Sequence, residues 1–332
     1  MYKMPVAPRV KIWAGIIFAG CLLNNSFGQT DYRLFVANEK SGNLTVINGS
    51  DFQIIKTVPI GKRTGEIQPS PDGKTLYVAL PDLATNRVGV VDLATDKVLR
   101  TIPAGPGSGQ FALSRDGQHL FIANEDTSMV IATEIASGKI IDSIPVSAKP
   151  TGVCVCPDGK FFYVSCETTG DIFVIDAAHP KVIGLIKLSP GTGSIVFSTD
   201  GGKAYALSGS AAEVDVIDTG NHTLIKTISL PKACHPRCLK LAADDNRLYI
   251  GTDPDGVIYV IDAALEQVVD TIKVDRSPRG LAFSPDGKFL ITANDVSDDV
   301  SVVDLARGKE VVRVKVAAGG NPADIIAVPT GK

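Results

Sequence analysis

The chain of 332 residues has a single tryptophan, and that one, Trp13, falls within the first 28 positions. Histidine is almost as scarce: His119, His179, His222 and His235 are all there are. Four dispersed imidazoles exclude a histidine-rich metal centre, since zinc and its neighbours want three or four ligands converging at close range. No Cys-x-x-Cys-His occurs, which excludes covalent attachment of a c-type haem to this chain. A Gly-x-Ser-x-Gly elbow, a His-Glu-x-x-His pair and a Walker loop are also missing, so the common hydrolase, metalloprotease and nucleotide-binding signatures have no foothold. The acidic loops lack the Asp-x-Asp-x-Asp-Gly spacing of a calcium loop. Positive charge is not in excess, with 33 Lys+Arg against 36 Asp+Glu and a net charge of −3. Without clustered cations there is nothing to attract a phosphate backbone or an anionic membrane, so no nucleic acid is expected as a partner. From residue 31 onward there is no sustained apolar stripe of helical period.

The first 28 residues do have an organisation of their own. Lys3, Arg9 and Lys11 precede an apolar run, Ile12 to Leu23, and small residues Ser26 and Gly28 sit at −3 and −1 of a cut before Gln29. This is the layout of a secretory signal peptide, and the run falls short of the ~20 apolar residues that span a bilayer. Residues 1–28 are therefore expected to direct export to the periplasm or the outside, with no transmembrane anchor. Phe18-Ala19-Gly20-Cys21 also resembles a lipobox, which makes lipidation at Cys21 the alternative. Export changes how the other cysteines read. Cys154, Cys156, Cys166, Cys234 and Cys238 are an odd set in an oxidising compartment. Within Cys234-His235-Pro236-Arg237-Cys238 a small loop disulfide between Cys234 and Cys238 is the leading expectation, ahead of a partial metal site or two unrelated thiols.

Self-comparison gives the strongest signal. Val90-Val91-Asp92 recurs as Val174-Ile175-Asp176, Val216-Ile217-Asp218, Val260-Ile261-Asp262 and Val302-Val303-Asp304, with degenerate copies ending at Asn48 and Glu134. The spacings are 42 or 44 residues, which makes seven units. Each contains four short apolar stretches, and the first two are joined by a turn such as Ser284-Pro285-Asp286-Gly287-Lys288. Proline presets φ at the second turn position and glycine takes the left-handed one. In the sixth unit Asn246 is expected to stand for that glycine. Four strands per unit of about 42 residues is the arithmetic of a propeller blade. The expected fold is all-β, a seven-bladed propeller over residues 31–332 with four antiparallel strands per blade. The first unit lacks its innermost strand, and residues 321–332 supply one. The C-terminal strand is thus expected to join the N-terminal blade and close the ring, leaving no open sheet edge at either end.

Leu76-Tyr77-Val78-Ala79 and Phe35-Val36-Ala37-Asn38, set between Pro-Asp-Gly-Lys turns and Val-Ile-Asp strands, resemble the YVTN-type β-propeller repeat. The resemblance covers about residues 31–332. It implies a superfamily that holds lactonase-like hydrolases, surface-layer proteins and propeller parts of periplasmic redox enzymes. The matching residues belong to turns and strands, so they carry no catalytic role across.

In a propeller the loop leading into each first strand and the loop between strands two and three surround one mouth of the central channel. The first set offers Arg63, Lys149, His235, Arg237, Arg279 and Asn321, and the second a ring of acids including Glu39, Asp82, Glu125, Glu167, Asp253 and Asp295. Arginine forks suit carboxylate and phosphate because they donate two parallel hydrogen bonds. The expectation is a channel mouth that takes a small anionic ligand, or a protein partner, on those basic residues, with His235 as a polar partner. His119, His179 and His222 read as solvated turn residues, and Cys154 and Cys156 as small buried hydrophobes. No catalytic residue and no cofactor are expected. The function is read as an exported, monomeric binding or scaffold protein, with a lactonase-like hydrolase and an accessory protein of a periplasmic redox system as alternatives.

Overall fold

A computed structural model describes residues 31–81, 86–231, 234–316 and 318–330. The expected leader at 1–28, with Cys21, and the loop acid Asp82 lie outside the described residues. The remainder is all strand and turn, with 28 strands among the described residues, β1 to β28 in chain order. They form seven four-stranded antiparallel sheets, the blades of a propeller. In six blades the strands follow one another from the axis outward. The exception closes the ring: β28 (Pro322–Pro329) pairs with β1 (Tyr32–Asn38), which continues into β2 (Asn43–Asn48) and β3 (Ile54–Pro59). Val36 lies opposite Ile325 and Leu34 opposite Ala327, so the tail is hydrogen-bonded to the start of the described chain along a full strand.

The turn chemistry explains why strands one and two fold back. The Gly287 N–H donates to the Ser284 carbonyl at 2.9 Å, the Ser284 hydroxyl donates to Asp286 at 2.7 Å, and the same hydroxyl accepts from the Phe289 N–H. Ser70/Asp72 and Ser114/Asp116 repeat the device. In the sixth blade the left-handed residue is Asp245, at φ 57°, and not Asn246. Asp245 is held there because its carboxylate accepts the Thr199 N–H of the neighbouring blade's turn at 2.9 Å. The aspartates ending five of the third strands cap the following turn, as Asp92 accepts the Thr95 N–H at 2.7 Å.

The core is divided into seven clusters, each formed by the facing surfaces of two adjacent blades. Each cluster includes an apolar residue from an innermost strand: Ile325, Ile67, Phe111, Val153, Ile195, Leu239 and Leu281 around the ring. Several residues beside these seven, among them Gln68, Gln110 and Lys240, line the channel instead.

Candidate functional site

The innermost strands that line the axis are β4 (Ile67–Pro69), β8 (Ser108–Leu113), β12 (Pro150–Val155), β16 (Thr192–Phe197), β20 (His235–Leu241), β24 (Pro278–Phe283) and β28. Around them is a cavity of about 820 Å³ to which all seven blades contribute. Most of these strands do not pair regularly with their neighbours. In blade six Pro236 faces Thr252 and Cys238 faces Gly251, which leaves Arg237 as the extra residue of a β-bulge. Arg279 and Thr151 occupy the same place in blades seven and four. A bulge re-aims the residue it inserts. Here it delivers Arg237, Arg279 and Thr151 to the cavity wall, where Arg63 joins them.

Lys149, His235 and Asn321 lie outside that lining. The first and last are held in left-handed backbone, at φ 58° and 50°. Their carbonyls accept the N–H groups of Glu167 and Glu39, each at 2.9 Å. Ser277 and Gly107 do the same for Asp295 and Glu125, so the backbone at this position fastens one loop to the next. The Asn321 side chain is committed to Asp295 Oδ1 at 2.7 Å. His235 is exposed at the start of its strand, opposite Asp253.

The acids border the cations and pair with them. Glu39 bridges Arg63 and Arg279, the latter at 2.9 Å; Arg237 meets Asp253 at 3.1 Å and Lys149 meets Glu167 at 2.6 Å. Burial pushes the Glu39 carboxyl up, but the two guanidinium groups outweigh it and hold the group below its ordinary range. All four cations remain substantially exposed. Such pairs contribute about 0–1 kcal/mol each, so a ligand anion can displace a carboxylate partner at little expense.

Deeper in the wall are residues that sequence reasoning missed: Glu66, Gln68, Lys240 and Asp324. Asp324 accepts the Ile67 N–H at 2.9 Å, which ties blade one to blade two. Glu66 accepts the Phe111 N–H at 2.9 Å and the Gln68 amide at 3.0 Å, while Gln68 donates to the Phe111 carbonyl at 2.7 Å, tying blade two to blade three. Burial first, and then the charge of Asp324, push the Glu66 carboxyl up to about 8. Asp324 is raised by burial, against the opposing pull of the Ile67 and Ile325 N–H donors and of the charges on Lys240 and Arg279. Lys240 makes no hydrogen bond or ion pair among the described residues. The Oγ1 atoms of Thr64 and Thr151 are likewise buried on the cavity wall without partners. The signal that finds Lys240 is positional. Counting back from each turn, it falls where Gln68 and Cys154 fall, three residues after the bulge position.

The cysteine and histidine expectations need correction. Cys234 and Cys238 are both free thiols. Cys234 packs between blades five and six and Cys238 between blades six and seven, so the sheet separates them. The Cys238 thiol donates instead to the Pro278 carbonyl at 3.3 Å. Cys156 is buried, but it sits in the turn past the end of β12. Cys154 is only partly buried and faces the cavity, its thiol pushed up to about 12 by burial and by Glu66. His222 is half-buried, not a solvated turn residue. Its Nδ1 lies 2.8 Å from the Tyr163 hydroxyl and its ring packs edge-on against Phe161. Among the described residues no three His, Cys, Asp or Glu side chains are grouped to hold a metal ion. Nor is any described helix long and apolar enough to cross a membrane.

A family model described as YNCE-like beta-propeller matches residues 31–284. No curated protein matches the sequence. Among solved structures, the chain is similar to a periplasmic gluconolactonase of Pseudomonas aeruginosa, at TM-score 0.75 and 22% identity over 90% of this chain and 99% of that one. It is also similar to the hydrazine synthase of Kuenenia stuttgartiensis, at TM-score 0.70 and 22% identity over 78% and 88% of the two chains. A third similarity is to the dihydro-heme d1 dehydrogenase NirN, at TM-score 0.64 and 19% identity over 86% and 64%. At these identities the likeness is one of fold.

Proposed function

The chain belongs to the YNCE-like β-propeller family, and from that premise we propose that it is an exported, monomeric binding protein whose channel mouth receives a small anionic ligand. One observation carries the reading. Bulges in two consecutive blades bring Arg237 and Arg279 to one cavity wall, where among the described residues weak carboxylate pairs are all that occupies them. Export rests on the leader-like residues 1–28 and agrees with the periplasmic setting of the Pseudomonas gluconolactonase.

The reading is tested by titrating the mature protein with D-gluconate in a calorimeter. Charge-assisted hydrogen bonds contribute ~1.5–3 kcal/mol each, so Arg237→Ala and Arg279→Ala should each weaken binding by about tenfold or more. Unchanged affinity in both variants would remove the arginines from the site.

A lactonase-like hydrolase is the second reading. It is favoured by the likeness to the gluconolactonase over nearly its whole length and by a raised carboxyl, Glu66, on the wall of the same cavity. A gluconolactone hydrolysis assay separates the two. Turnover lost in Glu66→Gln supports the hydrolase, and binding without turnover supports the binding protein. Co-purification with a redox enzyme would point to the accessory role instead, a reading that draws on the likeness to hydrazine synthase.

A further inference from the structure

Lys240 is an exposed cation with no hydrogen-bond or ion-pair partner among the described residues, in a protein whose other channel cations are paired. It lines the cavity from blade six and acts electrostatically on Glu66 and on Asp324. Those two carboxyls come from adjacent blades; burial raises both, and the charge of Asp324 raises Glu66 further. Each oxygen already accepts one N–H, from Phe111 and Gln68 on Glu66 and from Ile67 and Ile325 on Asp324. The pair is thus built into the wall and cannot swing out to neutralise Lys240. Thr64, fully buried, and Thr151 add hydroxyls with no partner on the same wall. Buried polar atoms normally find a partner, so unsatisfied ones beside an open cavity mark a place where a ligand's polar atoms fit.

We propose that the channel holds an interior subsite in which Lys240 receives the carboxylate of a small organic acid while Glu66 and Asp324 keep one proton between them, so that the anion binds together with that proton. This rests on the channel-mouth reading and extends it inward. The physical reason is charge balance. With the proton in place the buried pair presents one negative charge to the incoming anion, and without it two.

The other groups facing the pair do not titrate in the same way. Cys154 and Cys238 are pushed up to about 12 and stay neutral. Arg279 stays charged. Glu39, on the cavity wall, is held below its ordinary range by its arginines. Glu125 and Glu167 line the cavity beside Lys149, and burial raises Glu125, so the control is taken outside that lining, at Glu134 on the end of β10 (Met129–Glu134).

The experiment is calorimetric titration of D-gluconate, and of acetate as a bare carboxylate, between pH 6 and pH 9. Runs at pH 8.5 use two buffers of different ionisation enthalpy. In the wild type, affinity should fall about fivefold or more as pH rises through the region near 8, and binding at pH 8.5 should take up a proton. Lys240→Met should weaken binding about tenfold. Glu66→Gln preserves shape and acceptor, and should abolish proton uptake and flatten the pH dependence, whereas Glu134→Gln should leave both unchanged. Should Glu66→Gln fail to fold, the wild-type proton uptake still decides. Binding that requires Arg237 but ignores Lys240, or that takes up no proton, would overturn the interior subsite and leave the mouth reading standing. Binding of neither probe at any pH would remove both.

Discussion

A carboxyl forced to ionise beside another carboxyl inside a protein wall works against the fold. Glu66 is raised from 4.5 to about 8. Between those values the folded chain keeps a proton that the unfolded chain has already lost, so the folded state binds more protons and stability falls as pH rises across that window. Above about pH 8 both states have released it and the loss stops growing. Asp324 acts in the same direction. The turn aspartates work oppositely: Asp92 and Asp116 are lowered chiefly by side-chain hydrogen bonds from Thr95 and Ser114, so their contribution disappears as pH falls below the usual carboxylate range. Urea midpoints measured from pH 5 to pH 9 should therefore decline for the wild type and stay flatter for Glu66→Gln. A wild-type midpoint that rises over that range would contradict the assignment. Of the individual residues, Arg63, Arg237 and Arg279 were legible because a loop position in a repeat implies a channel mouth. Glu66 and Asp324 were not, since nothing local distinguishes a carboxylate in a strand of a channel wall from one facing solvent.

The bulge is the element that makes the site, and it imposes a requirement on its neighbours. Gly280 follows the bulged Arg279, and a Cβ there would lie 2.7 Å from the Asp324 Cα and 2.9 Å from its Oδ1. No side chain fits without moving the strand that closes the ring. Gly280→Ala should cost about 1–3 kcal/mol by overpacking and should disturb the Asp324–Ile67 hydrogen bond; a thermal midpoint equal to wild type would show that the approach is looser. Between blades three and four, Phe121 and Phe162 stack at 4.1 Å between centroids and 17° between planes. Phe162→Ala should cost about 3–5 kcal/mol, read from the denaturant midpoint. The strands and their turns were legible in the sequence because alternation and Pro-Asp-Gly chemistry are local. The bulges were not. Whether Pro236-Arg237-Cys238 pairs regularly or inserts a residue depends on the partner strand, and so Lys149 and Asn321, which fasten loops, looked the same as the arginines that reach the cavity. The disulfide expectation failed for a related reason: a spacing of four residues does not tell which face of a blade each thiol takes.

At the scale of the whole molecule, the seven repeats and the displaced strand in the tail were fully legible, because ring closure leaves a mark in the order of the repeats. Removing residues 321–332 would take away β28, leave β1 with an open edge, and strip Ile325 and Val328 from two inter-blade clusters. Such a chain should lose cooperative unfolding in calorimetry; an unchanged transition would mean that the tail does not close the ring. Closure also gathers the wall, since Asp324 arrives from the tail, Glu66 from the second blade and Lys240 from the sixth. The most direct test of the whole account is a crystal structure of the mature protein soaked with D-gluconate. The carboxylate should lie in the channel within hydrogen-bond distance of Lys240, Arg237 or Arg279. An empty channel at saturating ligand, or a ligand seated on the outer rim instead, would contradict it.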